Sequence, residues 1–207
     1  MRLKSPKVVR CIDYNLLDAI NDNIFENYIF TNNLEGNFKI KDIKMDSCIF
    51  RDIDFSNIEF IDIELIDVIF ENCDLSNKVF DFQMLSRVKF INCKMTGISF
   101  IESVLNDIEF LSCKSDYINL SSAKINNMLI TTSDLSYLSF LNTKIKNIEF
   151  VDVNLSNSEI INTKMNNIDI SACKIDNIKF DNYSLEGIII DSYQAMELVR
   201  FLGVKFK

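Results

Sequence analysis

FRDIDFSNIEFIDIELIDVIFENCDLSNKVF, residues 50–80, puts a large apolar side chain at every fifth position: Phe50, Phe55, Phe60, Leu65, Phe70, Leu75 and Phe80. The phase continues without a slip to Ile190. Of the 29 positions at multiples of five from Phe50 to Ile190, 11 are Phe, 8 Leu, 7 Ile and 2 Met, and Ser115 is the exception. Two residues before a centre the side chain is Cys, Ile, Val, Ala, Ser or Thr in most cases, and five of the six cysteines (Cys48, Cys73, Cys93, Cys113, Cys173) fall there. Two residues after it, Asn or Asp holds 17 of the 28 positions from Asp52 to Gly187.

Neither regular element fits a period of five. A helix turns about 100° per residue, so five residues smear the apolar stripe around its axis. A strand changes face at every odd step, so alternate centres would point to solvent. A three-residue extended piece does fit: the centre and its minus-two neighbour share one inner face, and two residues turn a corner before the next piece. Asn and Asp suit that corner because they tolerate left-handed angles and bond their own backbone. The product is a β-solenoid of short sides and stacked coils. Ten of the 11 central Phe fall on multiples of ten, and Cys73, Cys93 and Cys113 lie twenty apart. Four sides per coil account for both periods.

The 207 residues are 48% hydrophobic and 25% charged, with a net charge of −8, which is the composition of a folded chain with a real core. Only 4 Gly and 1 Pro are present, so Gly/Pro turns cannot shape the fold. Acidity argues against direct nucleic-acid binding, and the lack of His removes the commonest general base and metal ligand. No run of residues is long and apolar enough for a membrane span, and Met1–Cys11 lacks the apolar centre of a signal peptide, so a cytoplasmic protein with reduced thiols is expected. No Cys pair has CxxC spacing. Cys73, Cys93 and Cys113 would stack on one inner side as buried, free, small fillers. No nucleophile–base pair, phosphate loop or metal spacing appears, so neither an enzyme nor a cofactor is expected.

The stretches ENCDLSNKVF (71–80) and FVDVNLSNSEI (150–160) match the A(D/N)LXX motif, and the chain resembles the pentapeptide-repeat proteins over at least residues 48–190. That resemblance implies a right-handed quadrilateral β-helix. Residues 187–204, GIIIDSYQAMELVRFLGV, resemble the closing segment of the Qnr-type quinolone-resistance proteins. By its residues alone this segment reads as a helix: Asp191 and Gln194 form a capping box, Met196, Leu198, Val199, Phe201 and Leu202 make a wide apolar face, and Gly203 suits a left-handed C-cap. In that family the helix closes the rod and joins two subunits about a two-fold axis. The family protects DNA gyrase and topoisomerase IV from quinolones, and its rod-like dimer is held to mimic duplex DNA. Many members carry loops that protrude from the rod; the unbroken register here leaves no room for them.

The expected organisation is a repeat β-helix over 1–190, with an irregular cap at 1–19 and the strict repeat at 48–190, then a capping and dimerisation helix over 191–207. The resemblance implies a type II topoisomerase as partner and a homodimer through Tyr193, Met196, Leu198, Val199, Phe201 and Leu202. Residues 46–109 carry 13 acidic against 5 basic side chains, whereas 110–207 carry 11 against 10. An acidic collar of Asp52, Asp54, Glu59, Asp62, Glu64, Asp67 and Glu71 is the candidate partner surface; that these charges only solvate the rod is the alternative. Lys124, Lys144 and Lys164 should stack in a basic column. A second function class is a scaffold that binds an unrelated protein through an outer apolar row at Ile61, Ile101, Leu141 and Ile161.

Overall fold

The computed structural model describes residues 3–202, Leu202 by its backbone alone. The chain winds into a right-handed quadrilateral β-helix of about eight coils. Strands from successive coils pair in parallel at a register of twenty residues: Glu64–Glu71 lies on Met84–Ile91, which lies on Val104–Leu111. The same register holds from Ile29↔Ile49 to Asp169↔Ile189. The helix axis is therefore normal to the strands, and like residues stack about one strand spacing, roughly 4.8 Å, apart.

The five-residue phase is explained residue by residue. From Asn27 onward, every non-glycine residue with positive φ has a number ending in 2 or 7, the corner position. Asn and Asp there reach the left-handed region at low cost and also bond to each other from coil to coil. Asn72 Nδ2 donates to Asp52 at 3.0 Å, Asn127 to Asp107 at 2.9 Å and Asn162 to Asn142 at 2.6 Å. Centres point inward into one continuous core. Phe30, Phe50, Phe70 and Phe90 stack face to face with centroids 5.0, 5.1 and 5.2 Å apart.

The small residue two positions before a centre does more than fill space. Ser103 Oγ donates to the Phe80 carbonyl at 2.6 Å, Thr143 Oγ1 to Leu120 at 2.8 Å and Thr163 Oγ1 to Phe140 at 3.0 Å. Cys73, Cys93 and Cys113 make the same bond through sulfur, each at 3.4 Å, to Phe50, Phe70 and Phe90. A buried donor at this position satisfies a carbonyl of the coil below.

The two ends differ from the repeat. Of the described residues ahead of the repeat, the first run irregularly up to a short strand, Ile12–Asp13, that pairs in parallel with Tyr28–Ile29, and helix α1 (Leu16–Asp22) follows it. Asn15 caps it, and Leu16 and Ala19 are buried on the core. At the far end a short helix, α2 (Asn182–Leu185), replaces one side of the last coil, and α3 (Ser192–Leu198) follows with a single 3-10 turn, Val199–Leu202. Asp191 and Gln194 form the capping box. Gly203 and the side chain of Leu202 lie outside the described residues.

Candidate protein-binding surfaces

The acidic collar comprises side chains in three situations. Asp52, Asp54 and Asp62 are exposed at corners and edges, the first accepting from Asn72 and the second from the Ser56 amide at 2.8 Å. Glu59 and Glu71 are matched by cations one coil away, Lys39 at 2.8 Å and Arg51 at 2.8 Å, and Glu64 is half-buried. Asp67 is buried. Its carboxylate takes both Arg87 Nε at 2.6 Å and Arg87 Nη2 at 2.8 Å, and the Lys7 amide at 2.8 Å. Burial by itself would raise its pKa, but the Arg87 and Lys7 hydrogen bonds outweigh that and hold it below the ordinary carboxylate value. Asp67 therefore leaves the set that a partner can reach.

What buries it is a segment invisible to the repeat. Residues 4–11 run along the rod as a strap over one corner column. Lys4 N–H bonds Asp107 at 3.2 Å, Lys7 N–H bonds Asp67, and Cys11 Sγ reaches the Ser47 carbonyl at 3.1 Å. The strap carries Lys4, Lys7 and Arg10, all exposed, so it lays positive charge along an acidic column. Carboxylates answering backbone amides are a charge-assisted contact that no side-chain pattern in the sequence announces.

The C-terminal helix divides the expected interface residues between two tasks. Gln194 is buried and its Nε2 donates to the Ile170 and Cys173 carbonyls, both at 2.8 Å, while Arg200 Nη2 donates to Ile178 at 2.9 Å. The Ile170 carbonyl also takes the Cys173 N–H at 2.9 Å, whereas the Cys173 and Ile178 carbonyls lie at the end of the stack, where the helix supplies side-chain donors. Leu198 is buried against the core, and Phe201 meets Phe180 edge-on at 6.4 Å. Val199 is half-buried. Tyr193 and Met196 instead face solvent, 77% and 60% exposed.

Ile61, Ile101, Leu141 and Ile161 are half-buried, and Asp81 and Ser121 interrupt their row. Lys124 pairs in register with Lys144, and with Lys164 all three are exposed. The six cysteines are free. Burial pushes the Cys48 and Cys173 thiols up to about 12, so they carry no thiolate at neutral pH. Among the described residues no group of three or more His, Cys, Asp or Glu is placed to hold a metal ion, and no helix is long and apolar enough to cross a membrane.

Comparison with known proteins follows the same outline. The family described as the pentapeptide repeat region matches residues 63–140, and that described as the SV2A/B/C luminal domain matches residues 13–100. No curated protein matches the sequence. A trypsin-treated form of QnrB1, a plasmid-mediated fluoroquinolone resistance protein, is similar at a TM-score of 0.51 and 19% identity, over 88% of this chain and 91% of that one. Full-length QnrB1 is similar at a TM-score of 0.41 and 18% identity, over 94% and 98%. HetL, a pentapeptide repeat protein involved in heterocyst differentiation regulation in the cyanobacterium Nostoc, gives 0.26 and 12%, over 86% and 96%. At such identities the QnrB1 likeness speaks for the fold, and it is the same fold that the corners, stacks and register define. The chain has the right-handed quadrilateral β-helix fold of the pentapeptide-repeat proteins, and its residues 63–140 match that family's repeat region.

Proposed function

We propose that this protein is a cytoplasmic homodimer that binds a type II DNA topoisomerase, gyrase or topoisomerase IV, at the enzyme's DNA-binding surface and protects it from quinolones. The supporting observation is charge per unit length. Residues 46–109 hold 13 acidic and 5 basic side chains. They fill just over three coils, so about −8 is spread over roughly 15 Å, or one charge per about 1.9 Å, close to the roughly 1.7 Å of duplex DNA. The cations of the strap, Lys4, Lys7 and Arg10, reduce the net charge of this segment and so widen that spacing. Joined through Tyr193 and Met196, two rods would carry these acidic segments at their outer ends, related by a two-fold axis like that of the enzyme. The trypsin-treated form of QnrB1, described as a fluoroquinolone resistance protein, shares the fold, and the proposal extends that activity to this chain.

The mechanism needs no bond chemistry. Exposed carboxylates such as Asp52, Asp54 and Asp62 would occupy the cationic sites that take phosphate, and a protein so held competes with DNA. The test is binding of the full-length protein to gyrase as salt rises from about 50 to 300 mM: affinity should fall steeply, because exposed pairs are screened. Salt-independent binding would replace charge mimicry with an apolar contact.

A further inference from the structure

Phe82, Gln83 and Met84 each break the column in which they stand. One coil below and above Phe82 the corner residue is Asp62 and Glu102, and further along it is Asp42 and Ser122. Phe82 holds that corner at φ 63°, a backbone conformation costly for a bulky aromatic, and its side chain is 74% exposed. Gln83 takes an inward position that is Ile63 in the coil below and Ser103 in the coil above, and its Oε1 is buried with no hydrogen-bond partner. Met84 takes an outward position that is Lys44 and Glu64 in the coils below and apolar Val104 in the coil above, and it is 47% exposed. Val79, on the adjoining side of the same coil, is exposed as well.

None of this assists folding. A left-handed Phe, an orphaned amide oxygen and uncovered apolar area all weaken the rod, and they coincide in three consecutive residues. The other left-handed corner aromatics among the described residues, Tyr117 and Tyr137, stack on each other at 4.5 Å, whereas Phe82 has no such ring partner among them. Local rules broken together mark a site held for another purpose. Its surroundings define the partner. Asp62 and Glu102 flank the Phe82 corner at one strand spacing on either side. Asp42 and Glu64 stand beyond, and the nearby Lys44 is engaged by Asp46 at 2.7 Å. An aromatic knob in a carboxylate rim is repelled by the phosphates of nucleic acid or of a lipid surface. It suits a protein pocket.

We propose that Phe82 and Met84 form an apolar knob that seats in an apolar pocket of a protein partner, the pocket being rimmed by Lys or Arg side chains that meet Asp62 and Glu102. This rests on the rod being a protein-binding module, not on the partner being a topoisomerase. A buried aromatic anchor within a charged rim is the anatomy of a binding hot spot.

The test uses the full-length protein with Phe82→Asn, which suits the left-handed corner, and with Met84→Thr. The melting temperature of Phe82→Asn should equal or exceed that of the parent, and affinity for gyrase should fall at least tenfold with an unchanged salt slope. A melting temperature lowered by more than about 5 °C would mean that Phe82 serves the fold, and undiminished affinity would mean that the knob is not an anchor. Either result overturns the proposal. If the parent protein does not bind gyrase, the topoisomerase reading fails alone, and a random peptide library displayed on phage decides the knob. Enriched sequences that combine Lys or Arg with apolar residues and bind Phe82→Asn at least tenfold more weakly support it; enriched sequences indifferent to Phe82 overturn it.

Discussion

Ser115 stands where every other centre is a large apolar side chain, and it is fully buried with no partner for its Oγ. A buried hydroxyl without a hydrogen bond costs about 1–3 kcal/mol. Ser115→Ala should therefore leave stability to urea unchanged or raise it by about 1 kcal/mol; a loss beyond that would reveal a hydrogen bond that this packing does not contain. Asp67 makes the opposite case. Its folded pKa lies below its ordinary value, so the Arg87 and Lys7 contacts contribute fully above about pH 5 and are lost as pH falls through the ordinary value, near 3.9, and then the depressed one. The amide exchange rate of Lys7 should accordingly rise as pH is lowered from about 4 to 2, after correction for intrinsic exchange, and Asp67→Asn should show the same release already at pH 7. Equal protection in Asp67→Asn would remove the carboxylate from the account of the strap. At this scale the corners were legible in the sequence because Asn and Asp, which tolerate positive φ, recur at most of them, although Phe82, Arg87, Tyr117, Thr132 and Tyr137 adopt the same conformation without that signature. The role of Ser103, Thr143 and the cysteines was legible only as small size, since the carbonyl each one satisfies lies 23 residues back and leaves no mark of its own.

Coils need ends, and the ends are where pattern reading lost and gained most. The capping box at Asp191 and Gln194 follows directly from residue types at a spacing of three, and α3 carries it. That the same Gln194 amide also closes two carbonyls of the last coil depends on tertiary placement. Gln194→Leu keeps an apolar-compatible size but takes the side-chain donor from the Cys173 carbonyl and half of the box, while the Ile170 carbonyl keeps the Cys173 N–H; it should cost about 2 kcal/mol in chemical denaturation. No change in stability would show that water reaches this edge. Helix α1 went unread because it lies ahead of the strict repeat. Asn15 followed by buried Leu16 and Ala19 was the available signal, a cap and an apolar pair three apart. The strap over residues 4–11 had no signal at all, being held chiefly through its backbone amides and a sulfur contact.

The whole molecule is a stiff, quasi-one-dimensional stack, so its surfaces are set by which columns carry which side chains. The coils of residues 46–109 are acidic and carry the exposed Phe82, and the C-terminal end closes itself with Gln194, Leu198 and Phe201 and leaves Tyr193 and Met196 outside. The sequence raised the expectation of an interface on the helix but could not separate the apolar residues that cap the last coil from those left exposed, because that division depends on how the helix lies on the last coil. Met196→Glu with Tyr193→Ser should yield a monomer by sedimentation with the parent melting temperature; a dimer that persists would place the joint elsewhere. The account's central claim is that this rod takes the place of DNA on a topoisomerase. Its most direct test is gyrase supercoiling in the presence of a quinolone, with the full-length protein titrated from well below to well above the enzyme concentration. The account predicts recovered supercoiling at low ratios and competition with DNA at high ones. Supercoiling unchanged at every ratio, with gyrase and with topoisomerase IV decatenation alike, would contradict it.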